Sequence, residues 1–251
     1  MSDEDGFVPS QSYVAFRTPI GWQTLGTPKV VDAVWATSKT DVWAVGLAGA
    51  VHWDGATWTK AVGPTAPRVV WGSATNDVWL GASTATDPLF WHWDGSAWTS
   101  VASIAGATFS RIDALSGTGP NDVWAVGDGG VARFDGVAWT TAYATTAPVA
   151  LRDVWAASPT SVWAVGAQSG ILHWDGVRWS ETTGDPTIAS VVFTSVRGRS
   201  DSDVFASSTD NRMWHWDGTM WTSTAIGASG FLFGTANTMW LSTSTGVLVG
   251  P

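Results

Sequence analysis

The sequence predicts an all-β fold, a six-bladed β-propeller of four-stranded blades, and three observations carry that prediction. A ten-residue motif recurs along the chain as "AVHWDGATWT", "FWHWDGSAWT", "VARFDGVAWT", "ILHWDGVRWS" and "MWHWDGTMWT". Its aspartates, Asp54, Asp94, Asp135, Asp175 and Asp217, follow one another at gaps of 40, 41, 40 and 42 residues, a period that belongs to repeat architectures. Between the motifs lie strand-sized pieces rich in Val and Trp, and nothing sustains a helical period.

Each period reads as four strands in order. "DAVWATS" is a short apolar run, followed by a polar turn and then "DVWAVG", whose β-branched and aromatic residues suit a pleated sheet. A Gly-rich turn leads into "GAVHW", and the Asp-Gly step closes a hairpin into "TWTKAV". Val42 and Ala44 face one way and Trp43 and Val45 the other, so both faces of the strand are apolar. A sheet wetted on one side alternates apolar with polar residues, whereas blades stacked face to face need not.

The innermost strand recurs near Trp35, Trp71, Leu115, Trp155, Val196 and Phe233, and the second strand at Trp43, Trp79, Trp124, Trp163, Phe205 and Trp240. The tryptophan after the Asp-Gly turn recurs at Trp58, Trp98, Trp139, Trp179 and Trp221, with a further copy, Trp22, ahead of the first repeat. The last repeat stops at "GVLVGP". The expectation is therefore a tail over 1–19 and a single propeller over 20–251. In it an N-terminal outer strand around Trp22 completes the C-terminal blade and closes the ring.

Composition narrows the function. The chain has 251 residues, 20 of them Trp, with 13% charged residues and a net charge of −9. Tryptophan at that density must pack. Only 12 residues are basic, which argues against a nucleic-acid partner, since phosphate contacts need clustered Lys and Arg. No cysteine is present, so disulfides and zinc–thiolate sites are excluded. No apolar run reaches the length of a membrane span, and membrane insertion is not expected.

The hairpin aromatics carry two readings. Trp53 and Trp58, Trp93 and Trp98, Trp174 and Trp179, and Trp216 and Trp221 fall on one face of their hairpins, with Phe134 and Trp139 as a weaker copy. They either fill the wedge between blades or leave shallow aromatic slots for a ligand. Trp91 and Trp214 replace the small or aliphatic residue found at Val51, Ala132 and Leu172, and join the candidate set.

The "WDGxxW" hairpin resembles that of the six-bladed fucose-binding propeller lectins of fungi and soil bacteria, and is similar to tectonin-type repeats. The resemblance implies sugar sites between blades, lined by the tryptophans just named. Where those lectins carry a sugar-binding Glu, this chain has Ala50, Phe90, Val131, Ile171 and Met213.

His52, His92, His173 and His215 occupy one motif position, so each belongs to its own blade and no metal site is expected; a hydrogen bond within each blade is. Arg68, Arg111, Arg152 and Arg197 fall near the start of innermost strands, where a cationic ring at the channel mouth could meet an anionic ligand or peptide. Pairing with Asp113 and Asp153 is the plainer reading. No carboxylate pair, Ser–His–Asp set or phosphate-cradling loop stands out. The function expected is non-enzymatic carbohydrate binding, lectin-like, through repeated weak sites, with glycans as partners and no cofactor. The alternative is a protein-interaction scaffold with a protein partner, whose Trp pairs are purely structural.

Overall fold

The computed structural model of the protein describes residues 7–9, 13–18, 21–26, 31–63, 66–83, 89–101, 104–106, 109–144, 150–167, 170–182, 188–234, 239–243 and 246–249. Among them every regular element is a strand except a single 3-10 turn, Ile188–Ser190. Phe7–Pro9 (β1), Tyr13–Thr18 (β2) and Gly21–Gly26 (β3) form a three-stranded N-terminal sheet. Blade I comprises Ala33–Ser38 (β4), Asp41–Gly46 (β5), Gly49–Trp53 (β6) and Trp58–Lys60 (β7). Blade II comprises Pro67–Ala74 (β8), Asp77–Ala82 (β9), Phe90–Trp93 (β10) and Trp98–Val101 (β11).

Blade III comprises Ile112–Gly119 (β12), Asp122–Gly127 (β13), Gly130–Phe134 (β14) and Trp139–Ala144 (β15). Blade IV comprises Leu151–Ser158 (β16), Ser161–Gly166 (β17), Ile171–Trp174 (β18) and Trp179–Glu181 (β19). Blade V comprises Phe193–Ser200 (β20), Asp203–Ser208 (β21), Arg212–Trp216 (β22) and Trp221–Ala225 (β23). Gly230–Gly234 (β24), Met239–Thr243 (β25) and Gly246–Val249 (β26) form a three-stranded C-terminal sheet. All pairings within these sheets are antiparallel. The first strand of each sheet packs on the first strand of the next, from β1 on β4 through to β20 on β24.

The expected six blades are met only roughly. Five complete four-stranded sheets stand between two three-stranded ones. The residues assigned to a tail, 1–19, include β1 and β2, and Trp22 pairs with Arg17 of β2. The strand around Trp22 thus belongs to the N-terminal sheet, and among the described residues it does not complete the C-terminal one. The physical reason is locality. Thr18 pairs with Gly21, so β2 and β3 join across the shortest of turns, whereas pairing residue 22 with residue 249 must close almost the whole chain. "YVAFRT" lacks the Trp-Asp-Gly marker, which is why a count of markers passes over it.

Cross-strand register organises each blade into two rows on opposite faces. In blade I, Trp35 pairs with Trp43, Trp43 with His52 and His52 with Thr59. Their sequence neighbours, Ala36, Val42, Trp53 and Trp58, form the opposite row. The front row of one blade meets the back row of the next. Hence β9, β13 and β17 are buried along their whole length.

At the inner end of this interface a large residue meets a small one. A Cβ on Gly72 would lie 2.7 Å from Cη2 of Trp35, and one on Gly117 would lie 2.7 Å from Cη2 of Trp71. A Cβ on Gly198 would collide with the ring of Trp155. Blade III carries Ser116 in the tryptophan position, and blade IV answers with Ala156, whose N–H donates to Ser116 Oγ at 3.0 Å. The register also corrects the inner-strand alignment by one residue. Ser116 and Arg197, not Leu115 and Val196, stand opposite Trp124 and Phe205.

This fit yields a coupled pair. Gly198→Ala is expected to cost about 1–3 kcal/mol by overpacking. Trp155→Ser should also destabilise, but the double variant should lose less than the sum of the two. Urea unfolding of the four proteins measures the coupling, and strict additivity would show that the indole does not occupy the space above Gly198.

Candidate functional site

The repeated hairpin is built by its aspartate. Trp53 and Trp58, Trp93 and Trp98, Phe134 and Trp139, Trp174 and Trp179, and Trp216 and Trp221 are direct cross-strand partners, so each loop holds four residues. Oδ1 of Asp54 accepts the N–H groups of Ala56 at 2.8 Å and Thr57 at 2.7 Å. Asp94, Asp135, Asp175 and Asp217 repeat the arrangement. The following glycine has φ of 93–95° in all five loops. A side chain there is strained, and at Gly55 a Cβ would also lie 2.9 Å from Thr40.

Hydrogen bonds to the carboxylate hold these aspartates below their ordinary pKa. For Asp54, Asp135 and Asp175 the main cause is the backbone N–H three residues on. Asp94 and Asp217 fall to about 2, because the Ser96 and Thr219 hydroxyls also donate.

The aromatic pairs that the hairpins of blades II to V present are occupied. Trp43 of blade I lies 5.6 Å from Trp93 and 5.1 Å from Trp98 of blade II, ring centre to ring centre. Trp79 meets Phe134 at 4.7 Å and Trp139 at 5.3 Å. Trp124 meets Trp174 at 5.7 Å and Trp179 at 5.6 Å. Trp163 meets Trp216 at 5.6 Å and Trp221 at 5.5 Å. Each second-strand indole is therefore gripped by the pair on the following blade.

Contact with the second member of each pair is edge-on, at 90°, 82°, 78° and 80°. The indole N–H groups of Trp43, Trp79, Trp98, Trp139, Trp163, Trp179 and Trp221 are buried without a hydrogen-bond partner among the described residues. All seven belong to these edge-on pairs, where an aromatic face offers a weak acceptor. Trp139 and Trp221 are buried, while Trp53, Trp58, Trp93, Trp98, Trp174, Trp179 and Trp216 are half-buried. Trp58 adds a hydrogen bond to the Gly26 carbonyl at 2.7 Å, tying blade I to the N-terminal sheet.

Trp91 and Trp214 are also packing residues. Trp91 joins Val45, Ala50 and Leu80 across blades I and II. Trp214 is only 1% exposed, packs 5.8 Å from Phe193 and donates its Nε1–H to Ser208 Oγ at 3.2 Å. Its place in the sugar-site set is corrected accordingly. A ring enclosed within its blade offers no face to a ligand.

Each histidine stacks on the second-strand ring of its own blade and bonds the residue that opens that strand. His52 lies 4.4 Å from Trp43 and its Nε2 is 2.6 Å from Asp41. His92 with Trp79 and Asp77, and His215 with Phe205 and Asp203, repeat this. In blade IV, Ser161 replaces the aspartate at 3.2 Å from His173, and burial pushes that imidazole below its ordinary pKa. In blade III, Arg133 replaces the histidine, bonding Asp122 at 2.8 Å and covering the Trp124 ring at 4.8 Å.

A hydroxyl or guanidinium completes the carboxylate's shell: Thr37 on Asp41, Ser73 on Asp77, Thr118 on Asp122 and Arg199 on Asp203. Burial raises Asp77 and Asp203, but these donors outweigh it and both sit below the ordinary value. Sequence reasoning anticipated the histidine bond but not its acceptor, which the "DVW" aspartate signals. Among the described residues no group of three or more His, Cys, Asp or Glu could hold a metal ion.

The four arginines do not form one ring. At the bulge that opens the inner strand, successive blades carry Arg68, Asp113, Arg152 and Thr194, so the charges alternate. Arg111 lies two residues earlier and its Nε is 2.8 Å from Asp113. Burial raises the pKa of Asp113, opposed by Arg111 and Arg68. Arg68 and Arg152 are exposed. Arg197 lies within β20 at the position of Trp35, Trp71 and Trp155, bound to the buried Asp153, and is removed from the set at the mouth.

Blade V meets the C-terminal sheet through a polar seam that sequence reasoning missed. Thr194 and Ser207 hydroxyls donate to the Gly230 carbonyl at 3.0 and 2.7 Å, and Ser195 Oγ accepts the Leu232 N–H at 3.1 Å. The signal was "DVFASS" in place of "DVWAVG".

Stacked four-stranded sheets of this kind define the class: a β-propeller. No family model matches the sequence, and no curated protein is similar to it. Solved propellers are similar in structure. The chain superposes on YCF48 bound to D1 peptide at a TM-score of 0.70 and 13% identity, covering 99% of this chain and 92% of that one. Virginiamycin B lyase from Staphylococcus aureus matches at 0.77 and 11%, with 98% and 94% covered. The WD40 propeller domain of Doa1 matches at 0.71 and 10%, with 98% and 88% covered. At these identities the likeness speaks for the fold alone, and none of the three is described as a lectin.

Two outcomes follow. Trp163→Ala, which empties one grip, should cost about 3–5 kcal/mol and lower Tm by calorimetry. Stability should begin to fall below about pH 6.5, where His173 is protonated in the unfolded chain before the folded one, and fall further below about 4. Asp77, Asp203 and the hairpin aspartates have folded pKa values below 3.8, so their contribution is present above that value and is lost as pH drops through the folded pKa, about 2 for Asp94 and Asp217. Asp113, raised by burial, opposes the trend. Circular dichroism melts across pH 2–7 check the sign, and a Tm that rises below pH 4 would refute it.

Proposed function

We propose that the protein is a non-enzymatic protein-interaction scaffold, with the motif tryptophans as structural elements and the exposed face of the propeller as the binding surface. The observation that carries this reading is the occupancy of the hairpin pairs. A sugar ring would need the space that Trp43, Trp79, Trp124 and Trp163 fill in the following blade's pair. YCF48, a propeller of similar structure, was solved with a peptide bound, which is consistent with a peptide or protein partner here. The glycan reading retains one support, the half-buried rings of Trp53, Trp93, Trp174 and Trp216. Stacking without polar partners binds sugars poorly, since buried hydroxyls need hydrogen bonds.

Two parallel assays decide between the readings. Selection from a random peptide display library is expected to enrich sequences that bind with Kd on the order of micromolar. A glycan array is expected to show nothing above background. Array binding that a free monosaccharide competes, and that Trp174→Ala abolishes with the protein still folded, would overturn the scaffold reading.

A further inference from the structure

Along the inner strands, one register position lies opposite the second-strand aromatic; in blades I to IV it faces the next blade, whereas in blade V its side chain reaches back to blade IV. It carries Trp35, Trp71 and Trp155 in blades I, II and IV, all half-buried, and Ser116 in blade III. In blade V it carries Arg197, whose side chain is 32% exposed. A guanidinium where the repeat places an indole is the sharpest chemical departure on the inner strands.

Its surroundings fix it in place. Nη1 donates to both oxygens of Asp153, at 3.0 and 2.9 Å, and to the carbonyls of Val154 and Val196, at 3.3 and 2.6 Å. Asp153 is itself buried and also accepts from Ser195 Oγ at 2.7 Å and from the Val196 N–H at 2.9 Å. Every hydrogen bond that Arg197 makes with the described residues passes through Nη1, and Nε and Nη2 make none. The neighbouring cation on β20, Arg199, is engaged by Asp203 at 2.6 Å. The indole of Trp155 lies against Gly198, the next residue along from Arg197.

We propose that Arg197, with Trp155 beside it, is a carboxylate anchor on the inner strands of the propeller. It takes an acidic side chain or the C-terminal carboxylate of a bound peptide, with an apolar side chain against the indole. The two unused donors form the planar fork that a carboxylate matches with two parallel hydrogen bonds. Anchoring Nη1 in buried carbonyl and carboxylate oxygens removes the rotamer freedom that an arginine usually loses on binding. The chain's net charge of −9 repels anions in general, so a carboxylate is held only where a directed cation meets it. This anchor rests on the peptide-binding reading above and names its recognition chemistry.

The test uses arginine Nε–H and indole Nε1–H resonances of the ¹⁵N-labelled full chain. Arg197→Lys and Trp155→Phe provide the two assignments. Three probes are titrated at constant ionic strength. N-acetyl-leucyl-alanine offers a terminal carboxylate, N-acetyl-leucyl-glutamic acid α-amide a side-chain carboxylate, and N-acetyl-leucyl-alanine amide none. A saturable shift at Arg197, with Trp155 following, is expected from at least one acidic probe and not from the neutral one. Which acidic probe shifts it distinguishes terminus from side chain.

Arg197→Lys keeps a cation on Asp153 but loses the fork, so the Trp155 response should disappear with the fold intact. If that variant does not fold, the Trp155 indole resonance, assigned through Trp155→Phe, decides in the wild type: it must shift with an acidic probe and not with the neutral one. A silent Arg197, or an equal shift with the neutral probe or with sodium chloride, overturns the anchor. If selected peptides nevertheless bind, only the anchor falls. If the acidic probes shift Arg197 but display yields no peptide, the scaffold reading falls instead.

Discussion

The structure depends on one contact repeated at each junction between complete blades: an indole from the second strand of one blade seated between two aromatic rings on the hairpin of the next. Trp43, Trp79, Trp124 and Trp163 make it toward blades II, III, IV and V. Edge-on aromatic contacts contribute about 0.5–1.5 kcal/mol each beyond area burial. Their larger effect is geometric. Because the gripped ring and the gripping pair lie on different sheets, neither blade can bury its own aromatics, and each is stable only against its neighbour. The hairpin aspartate and its left-handed glycine serve this contact by holding the two strands in the register that sets the rings side by side.

The same dependence explains how the chain departs from its repeat. Where Ser116 replaces the inner tryptophan, Ala156 replaces the facing glycine, and a hydrogen bond replaces the lost packing. Where His becomes Arg133, the second-strand indole is still covered, now by a guanidinium rather than an imidazole. The C-terminal sheet has no hairpin of this type, so Phe205 is buried instead among Met213, Leu232, Met239 and Leu241, and the Thr194–Ser207–Gly230 seam joins the sheets. Substitutions on one face are answered on the face across from it because a close-packed interior tolerates neither overlap nor void.

Much of this was legible in the residues. The spacing of five Asp-Gly hairpin motifs, four of them Trp-Asp-Gly, implied a propeller, and the apolar character of both faces of "DVWAVG" implied stacked sheets. The repetition of the histidines implied a hydrogen bond within each blade. The N-terminal sheet was not legible, because β1 and β2 carry no marker and their pairing depends on a turn rather than a motif. The arginines were not legible either. Arg68, Arg152 and Arg197 look alike on the page, but the first two stand at the bulges that open β8 and β16, whereas Arg197 lies inside β20 opposite Phe205.

The sequence by itself determined the class of fold, the repeat and the hairpin chemistry, because these are properties of neighbours along the chain and of strand alternation. Only the tertiary structure decided whether the aromatic pairs are open slots or filled ones. Two rings on one hairpin look the same in either case, and the ring that fills them comes from a strand roughly one repeat earlier in the sequence. It reaches them only when the blades stack. The unused donors of Arg197 are likewise a tertiary fact, since they follow from Asp153, 44 residues away, taking hold of Nη1.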